Sequence, residues 1–166
     1  MSELPKIITA LQVSERIVGE TRRLFEPFRA NSVEGCVLWY GEVLADGMCT
    51  VVEAIRPEQQ NRPQNYAISA EAMRAVRRLV RPRNLLLLTQ IHSHPQRAYF
   101  SEWDAVSALN KQQGALNLVI PNFANVNWAD LTKFCMVECN RDGDWIEWLA
   151  ADWQRLRVVG DAGSSL

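Results

Sequence analysis

NLLLLTQIHSHPQRAYFSEWD, residues 84–104, begins as an unbroken apolar run and ends at a polar helix start. The run NLLLLTQIHS (84–93) shows no alternation of apolar and polar positions, the pattern of a strand covered on both faces. His92 and His94, the only histidines in the chain, close that strand. Residues at i and i+2 of a strand share a face, so the two imidazoles can converge on one point. Pro95 stops the ladder and turns the chain outward. Ser101-Glu102-Trp103-Asp104 then has the Ser-x-x-acid form of a capping box. A cap accounts for the serine and the acid. It leaves two histidines at a strand end unexplained.

Working outward, the spacing predicts a strand over 5–12 and a helix over 14–28, with Ser14 as cap and Pro27 and Asn31 marking its end. VEGCVLWYGEVL (33–44) and CTVVEAIRP (49–57) read as strands joined at Asp46-Gly47, a hairpin signal. EQQNRPQNY (58–66) is polar and reads as a surface loop. SAEAMRAVRRLVRP (69–82) reads as a helix capped by Ser69, and 101–113 as another. ALNLVIPN (115–122), KFCMVEC (133–139) and DWIEWLA (144–150) read as strands, ADWQRLRVV (151–159) as a terminal helix, and 160–166 as a frayed tail. Helices and strands intermix, and the hairpins argue against a purely parallel sheet. The expected fold class is α/β with a central mixed sheet flanked by helices, in a single domain over 1–159.

The 166 residues carry a net charge of −1, with 48% hydrophobic and 22% charged residues, so bulk charge drives no binding to nucleic acid or acidic membrane. No apolar run is long enough for a membrane span. The N-terminus lacks the basic start and apolar stretch of a signal peptide, which points to a cytoplasmic protein without a membrane. Cys36, Cys49, Cys135 and Cys139 form no CxxC pair and read as buried free thiols. Arg74, Arg77, Arg78, Arg81 and Arg83 cluster on and after one helix. They read first as a solvated face and second as a surface for an acidic partner. Nucleic acid is disfavoured because no aromatics are interleaved.

Two imidazoles and one carboxylate form a catalytic zinc shell with a fourth position open, and His92, His94 and Asp104 supply that set. Zinc suits such donors better than magnesium or calcium. A non-heme iron centre of two histidines and a carboxylate has the same ligand count and stays open. The chain is far shorter than a (β/α)₈ barrel, which excludes the barrel enzymes built on His-x-His. It also has no third histidine for a cupin site.

His92-Ser93-His94-Pro95 followed by Ser101-x-x-Asp104, with Glu34 upstream in VEGCVLWYG, resembles the JAMM (JAB/MPN) metalloproteases. The similarity spans roughly residues 5–150 and departs in one place: the stretch between His94 and Asp104 is one residue shorter than the family pattern. It implies a cytidine-deaminase-like architecture, Zn2+ on His92, His94 and Asp104, Glu34 as the general acid–base and Ser101 as an oxyanion donor. The chemistry asks for the same two groups, a carboxylate to carry a proton from water to the leaving amine and a donor for the oxyanion. The resemblance further implies cleavage after the C-terminal tail of a ubiquitin-like protein, as deconjugation or precursor processing. EGCVLW and QIHSHP are similar to prokaryotic members that work beside E1- and E2-like enzymes in antiphage (Bil or CBASS) operons. Other prokaryotic members process sulfur-carrier proteins, and some relatives are non-catalytic interaction modules.

Overall fold

The computed structural model describes residues 8–161. Its strands are β1 (Ala10–Ser14), β2 (Cys36–Val43), β3 (Met48–Ile55), β4 (Gln60–Arg62), β5 (Asn65–Ala67), β6 (Leu86–Ser93), β7 (Leu116–Ile120), β8 (Cys135–Cys139), β9 (Trp145–Glu147) and β10 (Leu156–Val159). The helices are α1 (Glu15–Asn31), α2 (Ala70–Val80) and α3 (Glu102–Ser107). Eight strands form one sheet in the order β10-β1-β3-β2-β6-β7-β8-β9, while β4 and β5 form a separate hairpin. β2 runs antiparallel to β3 and β6, and β6 runs parallel to β7, so the sheet is mixed as the sequence predicts.

β2 and β6 lie in the middle, where both faces are covered. Val37 and Trp39 of β2 turn toward α1, and Cys36, Leu38 and Tyr40 turn toward Met73, Val76 and Val80 of α2. This period-two division explains why CVLWY is apolar throughout. Trp39 is fully buried; its indole N–H donates to Thr21 Oγ1 at 2.7 Å, and that hydroxyl donates to Ile17 O at 2.7 Å. The relay satisfies two buried polar groups and fixes α1 against the sheet. At Gly35 a Cβ would stand 1.9 Å from Phe28 Cδ2, so only glycine lets the α1 ring close over this turn.

Several expected boundaries move. The first strand spans 10–14 rather than 5–12, and 5–7 lie outside the described residues. Ser14 caps α1 as expected, but α1 runs through Pro27 to Asn31. Pro27 falls near the C-terminal end, where Asn31 Nδ2 bonds Pro27 O at 2.7 Å and Ser32, in the left-handed region, donates back to Phe28 O and Arg29 O. The expected loop at 58–66 contains β4 and runs into β5, turning at Pro63 and Gln64; Glu34 N donates to Arg62 O at 2.9 Å and anchors β4. The helix expected over 101–113 stops at Ser107, because Leu109 N donates to buried Gln90 Oε1 at 2.9 Å and Asn110 Nδ2 to Leu87 O at 3.3 Å. The expected terminal helix is a short 3-10 turn at Asp152–Arg155 followed by β10, which pairs in parallel with β1. Of the expected frayed tail, 162–166 lie outside the described residues. All four cysteines are free and buried. Among the described residues no helix is long and apolar enough to cross a membrane.

Candidate metal centre and active site

The histidine pair stands where β6 leaves the sheet. His92 is the last but one residue of β6, with Cys36 opposite it on β2. His94 lies just beyond the strand, yet its backbone is held on both sides: its N–H donates to Ile120 O at 2.8 Å, and its carbonyl accepts from Phe123 N at 2.8 Å. The second bond comes from a tight turn in which Asn122, Phe123 and Ala124 all have positive φ, near 54°, 51° and 65°. Non-glycine residues rarely adopt that conformation, so strain is concentrated beside His94.

Asp104 arrives from α3. Ser101 N and Ser101 Oγ each donate to Asp104 Oδ2 at 2.7 Å, and Asp104 N donates to Ser101 Oγ at 3.1 Å. The capping box read from the sequence is therefore present, and it aims the carboxylate at the histidines. His92 Nε2 lies 3.2 Å from His94 Nε2 and 3.2 Å from Asp104 Oδ1, and His94 Nε2 lies 3.4 Å from Asp104 Oδ2. Two imidazole nitrogens and a carboxylate facing one another require a cation among them, either protons or a metal ion. Donors about 2.0–2.1 Å from a tetrahedral zinc ion stand about 3.3 Å apart, so the spacing and chemistry of this trio fit such an ion. Among the described residues, His92, His94 and Asp104 are the group that could hold a metal.

Burial sets the electrostatics. Burial lowers the pKa of His92 against the opposing pull of Asp104. For Asp104 burial alone would raise the pKa; hydrogen bonds from His92 and His94 outweigh it and hold the carboxyl well below its usual range. His92 Nδ1 has no hydrogen-bond partner among the described residues. The ring is oriented by packing instead, with centroids 5.8 Å from Tyr66 and 6.5 Å from Phe100.

Glu34 occupies the turn before β2 rather than the strand. It is 7% exposed, and its pKa is raised from 4.5 to about 7. Burial is the main cause; the charge of Asp104 adds to it and His94 opposes it. Glu34 N donates to Arg62 O and Glu34 O accepts from Asn61 Nδ2 at 2.8 Å, so the β4 strand fixes its backbone. Glu34 and Asp104 line one cleft of about 220 Å³, with Asn65, Tyr66, Gln90 and Trp103 among its walls. The sequence pattern singled out Glu34 and Asp104 but missed Tyr66 and Gln90. Gln90 Nε2 donates to Tyr66 OH at 2.7 Å while its Oε1 accepts from Leu109 N, tying both walls of the cleft to β6. A polar residue two positions before His92, on the same strand face, was the available signal. Trp103 and Tyr99 are 68% and 47% exposed, so neither is core. Tyr99 packs edge-on to His94 at 4.7 Å.

Comparison with known proteins follows the same line. No family model matches the chain. The fold is shared with protein DSY2949 from Desulfitobacterium hafniense, at a TM-score of 0.62 and 15% identity over 91% of this chain and 92% of that one. It is shared also with a protein from Salinibacter ruber (strain DSM 13855), at 0.58 and 17% over 93% and 94%. In sequence, the chain is 38% identical over 130 residues to the "Probable metalloprotease y4jG" of Sinorhizobium fredii (strain NBRC 101917 / NGR234), spanning 76% of this chain and 79% of that protein. Identity of that degree over that much of both proteins makes this chain a member of the metalloprotease family of y4jG.

Proposed function

We propose that the chain is a zinc-dependent peptidase or isopeptidase of the JAMM type that cuts after the extended C-terminal tail of a ubiquitin-like protein. One observation carries the reading: a buried glutamate with a raised pKa lines the same cleft as Asp104, the carboxylate of a His-His-Asp trio of tetrahedral dimensions. Zinc held by His92, His94 and Asp104 would make water a nucleophile near neutral pH and polarise a carbonyl. Glu34, buried beside the trio and outside the ligand set, is placed to accept a proton from water and return it to the leaving amine. Ser101 directs its only hydroxyl proton at Asp104 Oδ2, so it orients that carboxylate; rotation would let it serve an oxyanion instead.

The tail specificity rests on the walls. Asn65, Tyr66 and Ala67 of β5 line one side, and β5 has a free edge opposite β4, where an extended peptide can add as a strand. Trp103 and Tyr99 crowd the approach and favour small residues next to the metal. The partner is then a ubiquitin-like protein conjugated by E1- and E2-like enzymes of an antiphage operon of the Bil or CBASS kind, or a sulfur-carrier precursor.

The test combines metal analysis with turnover. Purified protein should hold about one zinc per chain. It should cleave a ubiquitin-like protein fused through Gly-Gly to a reporter, and a Leu in place of the penultimate glycine should slow it. Equal rates on both fusions, or equal rates on unfolded peptides, leave a general metallopeptidase. Zinc with no cleavage of any peptide leaves a metal-bound interaction module.

A further inference from the structure

We infer that a groove continuing from the cleft binds an acidic segment of the substrate polypeptide, an inference that rests on the peptidase reading above. The groove encloses about 720 Å³ between α2 and the segment after α3, and Tyr40, Met73, Arg77, Val80, Arg81 and Leu109 are among its lining residues. Leu109 also lines the cleft that holds Glu34 and Asp104, so the two recesses share a wall.

The chemistry of the groove selects for carboxylates. Tyr40 is 5% exposed and lines the groove. Arg77 lies close enough for its charge to act on that phenol. Among the described residues the arginines in ion pairs are Arg16, Arg29, Arg83 and Arg155, so Arg77 and Arg81, like most arginines of the chain, have no carboxylate partner. No acidic residue lines the groove. A phenol and two guanidinium groups on the walls of one groove match an Asp or Glu side chain, since charge-assisted bonds of this kind are the strong ones. The apolar remainder of the floor suits a polypeptide better than a phosphate chain.

The experiment uses the full chain carrying Glu34→Gln, so that bound peptide is not cut. Probes are a fluorescein-labelled Leu/Gly-rich peptide with several Asp residues, its Asn and Lys counterparts, and a single-stranded oligothymidylate competitor. Fluorescence anisotropy should show the Asp peptide bound more tightly than the Asn one. Arg77→Glu should weaken the Asp peptide by about tenfold and strengthen the Lys peptide. Tyr40→Phe should weaken the Asp peptide without improving the Lys one, and Arg74→Glu, on the same helix but outside the groove, should change nothing. An Arg74→Glu effect as large as that of Arg77→Glu, equal affinity for Asp and Asn peptides, or tight binding of the oligonucleotide overturns the inference. Cleavage assays on the metal-loaded wild type separate it from the functional reading. Turnover with a KM indifferent to acidic residues sinks the groove alone. Acid-selective binding without cleavage of any peptide sinks the peptidase alone.

Discussion

Replacing Glu34 with Gln should make the metal-free protein more stable and the metal-loaded enzyme nearly inactive. In the folded chain this carboxyl ionises only near pH 7, against 4.5 for an unhindered group. Below the lower value Glu34 is protonated in both folded and unfolded chains and contributes no pH dependence. Between the two values the unfolded chain ionises while the folded one holds its proton, so stability falls as pH rises. Above the higher value both are ionised and the full penalty, about 3 kcal/mol, persists. Gln cannot ionise and escapes the penalty. Urea unfolding in the presence of a chelator is the assay, since a bound dication would pull the carboxylate back toward its ordinary range. With a urea slope of about 2 kcal/mol/M, Glu34→Gln should raise the midpoint by about 1.5 M at pH 8 and scarcely change it at pH 4. In the metal-loaded enzyme the same substitution should cut kcat by roughly 10²–10⁴-fold. Superimposable unfolding curves for the two proteins at pH 8 would refute the claim that Glu34 is held in a desolvated site.

His92→Ala and Asp104→Ala should each abolish stoichiometric metal, read by elemental analysis after gel filtration, while Glu102→Ala should retain it; metal kept by Asp104→Ala would move the third ligand elsewhere. Ser101→Ala removes the acceptor for Asp104 N and one donor to Asp104 Oδ2, so it should cost about 1 kcal/mol and weaken metal affinity together. A lower melting temperature with unchanged metal affinity and turnover would reduce Ser101 to a helix cap. Gly35→Ala drives a Cβ into the Phe28 ring and should destabilise by about 1–3 kcal/mol while displacing Glu34. Phe28→Leu should partly restore it in thermal melts, and no rescue would mean that the clash is relieved elsewhere.

The convergence of His92, His94 and Asp104 was legible because its signal is local. Two histidines one residue apart at a strand end share a face by backbone geometry alone, and Ser101-x-x-Asp104 carries its own cap. The Asp46-Gly47 hairpin was legible for a similar reason: both residues take positive φ, as that pair readily does. What stayed hidden depends on distant partners. Residues 58–66 have no apolar alternation, and β4 forms by pairing with β5 and by taking the backbone N–H of Glu34, far back in the chain, on its Arg62 carbonyl. The helix at 101 looked longer because KQQ favours helix, but the side chain of Gln90 captures the backbone at Leu109 first. The segment LRVV looked helical when read together with ADWQ, yet the exposed edge of β1 draws it into the sheet. Gln90 and Tyr66 were missed because nothing in their neighbourhood reveals that they meet.

The bond from Arg155 Nη1 to Ile8 O, at 2.8 Å, joins groups 147 positions apart, while the same guanidinium holds Glu138 on β8 at 2.7 Å. On a ribosome, β1 emerges before β10 and must wait for nearly all of the described chain before β10 can cover its open side. Until then β1 presents unpaired backbone to any passing strand. Contacts this remote slow folding, because the long loop must close before they form. The segment that pairs last with the sheet therefore sets the moment at which the edge of β1 stops being open to its neighbours.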